Sequence, residues 1–112
     1  MRTELGVDNR QSTVYSGLVI RSFRHPGLEK FFKTGSKAGI QPAHASKLYA
    51  QLAALDVARS AADLSVASWR AHKLKGNLEG HWAIWVNANW RLTFTFEGED
   101  AILVDYCDYH GG

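Results

Sequence analysis

The sequence predicts an α+β domain with helices on one face of an antiparallel sheet, and three observations predict it. In the last third of the chain, Trp90, Leu92, Phe94 and Phe96 alternate with Arg91, Thr93, Thr95 and Glu97. A period of two marks a strand with one oily and one polar face. Trp82, Ile84 and Val86 alternate in the same way, and Ala101 to Tyr106 is a continuous β-prone run. Asn87-Ala88-Asn89 and Gly98-Glu99-Asp100 separate these runs with residues that tolerate turns. Upstream, Leu48, Leu52 and Leu55 recur at helical spacing. A meander of this kind has one apolar face, and the helices are what the chain has to cover it.

Taken in order, residues 1–18 show no period and read as a flexible or extra N-terminal tail, leaving 19–112 as the domain. Leu18 to Phe23, β-branched and apolar, is the first strand. His25-Pro26-Gly27 ends it, and Pro26 opens a helix in which Leu28, Phe31 and Phe32 share a face until Gly35. A longer helix runs from Pro42 to about Arg59, burying Ala45, Leu48, Leu52 and Leu55 while Lys47, Gln51 and Asp56 face water. Ser60-Ala61-Ala62-Asp63 caps one further turn. Trp69 to Leu74 then reads as a strand leading through Lys75-Gly76-Asn77 into the meander.

Composition excludes more than it selects. A chain of 112 residues, 46% hydrophobic and 21% charged, is one ordinary globular core. No apolar run approaches the roughly 18 residues a bilayer requires, and Glu4, Asp8, Asn9 and Arg10 break any signal-peptide pattern. The single cysteine, Cys107, excludes an internal disulfide and suits a reducing cytoplasm. A net charge of +2 says little, but its distribution says more. Lys73, Lys75 and Arg91 fall near the sheet, Arg21, Arg24, Lys30, Lys33 and Lys37 at the front, and Glu97, Glu99, Asp100 and Asp105 around the last turn.

There is no glycine-rich phosphate loop, cysteine pair or nucleophile elbow. The five histidines, at 25, 44, 72, 81 and 110, lack metal-ligand spacing, so neither metal nor cofactor is expected. What remains is the sheet's open face. There neighbouring strands, about 5 Å apart, bring His72, Lys75, Arg91, Asp108, Tyr109 and His110 together. That inventory suits phosphodiester cleavage. Histidine exchanges protons near neutral pH, cations stabilise an anionic phosphorane, and an aromatic ring stacks an unstacked base. The residues alone leave other readings open. His72 and His110 can be surface histidines, Asp108-Tyr109-His110 a solvated tail, and Arg91 a cross-strand partner of Glu97 or Asp105. Trp82, Trp85 and Trp90 read as core rather than stacking platforms, Trp85 with the least support. Cys107 reads as a strand filler, with no base beside it.

Five segments together carry a resemblance: Ile20-Arg21-Ser22-Phe23-Arg24-His25 to Leu28, Leu52 to Asp56, His72-Lys73-Leu74-Lys75-Gly76, Asn89-Trp90-Arg91-Leu92-Thr93-Phe94, and Asp108-Tyr109-His110. In one order, from about Val19 to His110, they resemble the HigB (plasmid maintenance killer) toxins of the wider RelE-like superfamily. The resemblance implies an α+β RelE-like fold, an N-terminal strand and two helices packed on one face of an antiparallel sheet. It also implies a cytoplasmic, ribosome-dependent endoribonuclease of a type II toxin–antitoxin system, cutting mRNA in the decoding site without metal. A HigA-like helix-turn-helix antitoxin would be its partner, and the complex would bind operator DNA.

By the same resemblance His72, Lys75, Arg91, Asp108, Tyr109 and His110 are catalytic. Lys73, Arg21, Arg24, Lys30 and Lys37 would contact RNA. Two departures stand out: Lys73 occupies a position where the family often has proline, and residues 1–18 are additional. A non-catalytic binding module of the same fold and a ribosome-independent ribonuclease are the competing readings.

Overall fold

The computed structural model describes residues 20–108. Its sheet has four strands in the order β1-β2-β3-β4, each antiparallel to its neighbour: β1 (His72–Lys73), β2 (Trp82–Asn87), β3 (Trp90–Glu97) and β4 (Asp100–Asp108). Two helices, α1 (Pro26–Thr34) and α2 (Ala45–Val57), cover one face. This is the expected α+β arrangement.

Register fixes which residues share a face, because directly opposed residues of antiparallel strands lie on the same side. Ile84 pairs with Leu92 and Leu92 with Tyr106. These three, with Val86, Phe94, Ala101 and Val104, pack against Leu28, Phe31, Leu48, Leu52, Leu55 and Leu64. On the other face one row runs His72–Ala83–Thr93–Asp105 and the next runs Trp85–Arg91–Cys107.

The helices end where their chemistry says they should. His25 Nδ1 accepts the Leu28 amide at 2.9 Å, Pro26 occupies the first turn, and Gly35 at φ 82 closes α1 with its amide on the Phe31 carbonyl. The longer helix begins later than expected, since Pro42–His44 forms a single 3-10 turn before α2. Gln51 does not face water: it is fully buried, and its Nε2 donates to the Trp85 carbonyl at 2.8 Å. Strand β1 has ended by that point, so α2 satisfies a strand edge that β1 leaves open.

Two further expectations are corrected, and a third falls outside the described residues. The first strand is reduced to two parallel bridges onto β4, Ile20 to Ala101 and Phe23 to Val104, and Leu18 and Val19 lie outside the described residues. Between the bridges β4 bulges, with Leu103 at φ 57 and its amide on Ser22 Oγ, so a continuous ladder cannot form. The strand expected from Trp69 is only His72–Lys73 long, because Trp69 ends a 3-10 turn and Arg70 is left-handed at φ 52. The tail assigned to residues 1–18 lies outside the described residues.

A close backbone approach pins α1 to the loop before α2. A Cβ on Gly39 would lie 2.6 Å from Gly27 Cα, and one on Gly27 2.7 Å from the Gly39 carbonyl oxygen. Helix propensity alone favours alanine over glycine within α1 by about 1 kcal/mol, but backbone cannot yield as a side-chain tip can. Gly27→Ala and Gly39→Ala are each expected to destabilise by about 1–3 kcal/mol in chemical denaturation.

Candidate active site

The open face sets short residues between taller ones. Ala83 and Thr93 are short and buried, and form its floor between taller neighbours His72, Trp85, Arg91, Asp105 and Cys107. His72 and Arg91 share this face, on β1 and β3. They lie two strand spacings apart across the sheet and two residues apart along it, about 12 Å between backbones.

Each polar group here is held by backbone. His72 Nδ1 lies 2.8 Å from the Arg70 carbonyl oxygen. A carbonyl only accepts, so Nδ1 carries the proton. The other ring nitrogen, Nε2, then accepts a proton in the neutral ring and donates one in the imidazolium. The left-handed turn at Arg70 aims that carbonyl, a conformation most side chains avoid and functional sites tolerate. One guanidinium nitrogen of Arg91 donates to the carbonyls of Ala88 and Trp90, at 3.0 and 3.1 Å. The Trp85 indole donates to the same Ala88 carbonyl at 2.9 Å. Ala88, left-handed at φ 50 in the β2–β3 turn, therefore ties Trp85 and Arg91 together.

The remaining expected residues divide. Lys75 is exposed just beyond β1, at the start of a 3-10 turn. Lys73 pairs with Trp82 and so lies on the face opposite His72, its Nζ 5.8 Å from the Trp82 ring centre. Asp108 pairs with Trp90, which places it at the exposed end of the helix-covered side. Tyr109 and His110 lie outside the described residues. Arg21 is not a loose cation: it is clamped between Glu97 and Asp100, with Nε 3.1 Å from Asp100. Arg24, Lys30 and Lys37 are exposed on and around α1, away from the open face.

The histidines do not converge. His25 caps α1 and His72 stands on the open face. His81 is turned inward, its ring nitrogens without a hydrogen-bond partner among the described residues. Among the described residues no group of three or more His, Cys, Asp or Glu is arranged to hold a metal ion, and no helix is long and apolar enough to cross a membrane. His44 is buried, its Nδ1 2.7 Å from the Tyr106 hydroxyl, which stacks through its ring on Trp90. Sequence reasoning put Thr93 on the polar face with Arg91 and weighed Asp105 as a cross-strand partner of Arg91; in the register Asp105 opposes Thr93 and Cys107 opposes Arg91. It also read Trp85 as core, whereas the ring is half-buried with two cations over it.

Two titrations can be checked. Desolvation lowers the pKa of His44 below its ordinary 6.5. Above that value both folded and unfolded forms are neutral; below it the unfolded chain gains a proton that the fold resists, so stability falls with pH. Between pH 7.5 and 5.5 the melting temperature is expected to drop less in His44→Gln than in wild type. Burial raises the Cys107 thiol, and Asp105 adds to the rise while Arg91 opposes it. Alkylation by iodoacetamide is accordingly expected to be slow at pH 7.5 and to accelerate as pH rises.

Comparison with known proteins gives the family. The family model of the HigB-like toxins, RelE-like toxins of the type II toxin-antitoxin system HigB, matches residues 21–110. A Proteus vulgaris protein named Endoribonuclease HigB is 39% identical over 92 residues, covering 82% of this chain and 100% of that protein. The chain belongs to the HigB family of RelE-like toxins.

Proposed function

We propose that this protein is a cytoplasmic endoribonuclease that cuts messenger RNA on the ribosome by attack of a ribose 2′-hydroxyl on the adjacent phosphate. The observation that carries the reading is the shared face of His72 and Arg91, with the imidazole held by the Arg70 carbonyl so that Nε2 is available for proton transfer. The similarity to a protein named as an endoribonuclease supports it.

The substrate supplies its own nucleophile. The 2′-oxygen forms a bond to phosphorus, the bond from phosphorus to the 5′-oxygen breaks, and a 2′,3′-cyclic phosphate and a 5′-hydroxyl result. Protonated His72 gives its Nε2 proton to the departing 5′-oxygen. The 2′-proton goes to the C-terminal group at His110 rather than to Asp108, whose register with Trp90 puts it on the helix-covered side, with the acid and base roles reversible between His110 and His72. Arg91 and Lys75 neutralise the phosphorane, and Tyr109 orients or stacks a base. Arg24, Lys30 and Lys37 contact ribosomal RNA from the α1 side, and Lys73 from beyond β1.

A shallow face cannot by itself orient a flexible strand, so a ribosome that presents the message in attack geometry supplies the missing order. In this reading a HigA-like helix-turn-helix antitoxin keeps the toxin in check, and their complex binds operator DNA.

The test is expression without antitoxin, with primer extension on cellular messages. Wild type is expected to arrest growth and create new message ends. His72→Ala and Arg91→Ala are expected to reduce cleavage at least about 100-fold. Wild type that produces neither arrest nor new ends contradicts the nuclease reading, and full activity in either variant contradicts the mechanism. Equal cleavage of naked and ribosome-bound RNA would remove the ribosome from the account.

A further inference from the structure

Two cations lie over one indole at the edge of the open face, and a third stands beside it in register. Lys47 Nζ lies 4.4 Å from the centre of the Trp85 ring, and the Arg70 guanidinium carbon lies 5.0 Å from it. Arg91 is opposite Trp85 in register and shares the Ala88 carbonyl with the indole N–H. Lys47 comes from α2, Arg70 from the turn before β1 and Arg91 from β3. Three separate parts of the chain therefore deliver positive charge to one spot. The ion pairs among the described residues that surround Arg21 and Lys33 leave Lys47 and Arg70 without a carboxylate. The π-face offsets part of their repulsion. An anion would offset the rest.

We propose that Lys47 and Arg70, seated on Trp85 beside Arg91, form a second phosphate cradle that holds the backbone phosphate next to the one being cut. This rests on the nuclease reading and extends it to a binding subsite. Contiguity favours RNA over an acidic protein segment: the residue whose side chain completes the cradle, Arg70, is also the one whose carbonyl sets the His72 tautomer. An RNA strand with its scissile phosphate between His72 and Arg91 carries its next phosphate past the Trp85 rim, one strand spacing away. Filling the cradle would fix the strand's direction across the face and steady the turn that aims His72. Arg70 thus both binds substrate and positions His72.

The experiment measures binding of the full chain to a uniformly 2′-O-methylated oligoribonucleotide, which it cannot cut, as a function of salt. Lys47→Gln and Arg70→Gly are each expected to lower the slope of log affinity against log salt by about 0.7 and to weaken binding about three- to tenfold at low salt. Glycine suits the left-handed turn, so Arg70→Gly removes the cation without backbone strain. Trp85→Leu is expected to weaken binding although both cations remain, and Trp85→Phe to restore most of it. Lys33→Gln, on the far side of α1, is expected to match wild type.

Slopes and affinities unchanged in Lys47→Gln and Arg70→Gly would overturn the cradle. So would loss of affinity for a polyglutamate peptide with RNA binding intact, which would make the patch a protein contact. Wild type that fails to bind the oligonucleotide at low salt would also overturn it. In each of these cases message cutting in cells still judges the nuclease reading separately.

Discussion

The pairing register of β2, β3 and β4 is the constraint on which everything else depends. Trp85 opposite Arg91 opposite Cys107, and Ala83 opposite Thr93 opposite Asp105, decide that one face is oily and the other polar and open. A slip of one residue would turn Arg91 into the core and expose Leu92. The core enforces the register in return, since Ile84, Leu92, Phe94 and Tyr106 are all buried under the helices. Losing even one such side chain typically costs about 2–5 kcal/mol, a large part of a small domain's stability. The chemistry of the open face is in this sense held in place from behind.

Backbone carbonyls take a large share of the local positioning. His72 leans on the Arg70 carbonyl, and Arg91 and Trp85 lean on that of Ala88. Both carbonyls belong to left-handed non-glycine residues, so strain is concentrated at the two turns that aim the site. A neutral carbonyl orients the His72 imidazole without cancelling the field that a phosphate feels. By contrast Arg21, between Glu97 and Asp100, has its charge matched and serves to fasten the N-terminal segment to the β3–β4 turn.

Much of this was legible in the sequence. The alternation in residues 90–97 gave β3 and its two faces, and the caps at His25, Pro26 and Gly35 gave α1. What escaped followed from long-range contacts that no local pattern records. Gln51 looked like a solvent residue because glutamine usually is one; it is buried because Trp85 offers a carbonyl with no strand beside it. The first strand was overestimated because its β-branched residues meet a bulged partner at Leu103. Trp85 was misread as core because helix α2 and the turn at Arg70, distant in sequence, decide what lies over its ring. That His72 and Arg91 share a face, and that Asp105 joins them opposite Thr93, needed the pairing register of all four strands.

The central claim is that one phosphate bridges His72 and Arg91 on the open face. Titration of the isotopically labelled chain with a nucleoside 3′-monophosphate, followed by NMR of the His72 ring and the Arg91 guanidinium, tests it most directly. The account predicts that both groups shift with the same dissociation constant, with the His72 proton on Nδ1 in the neutral ring. Shifts confined to the exposed cations of α1, or a His72 proton on Nε2, would contradict it.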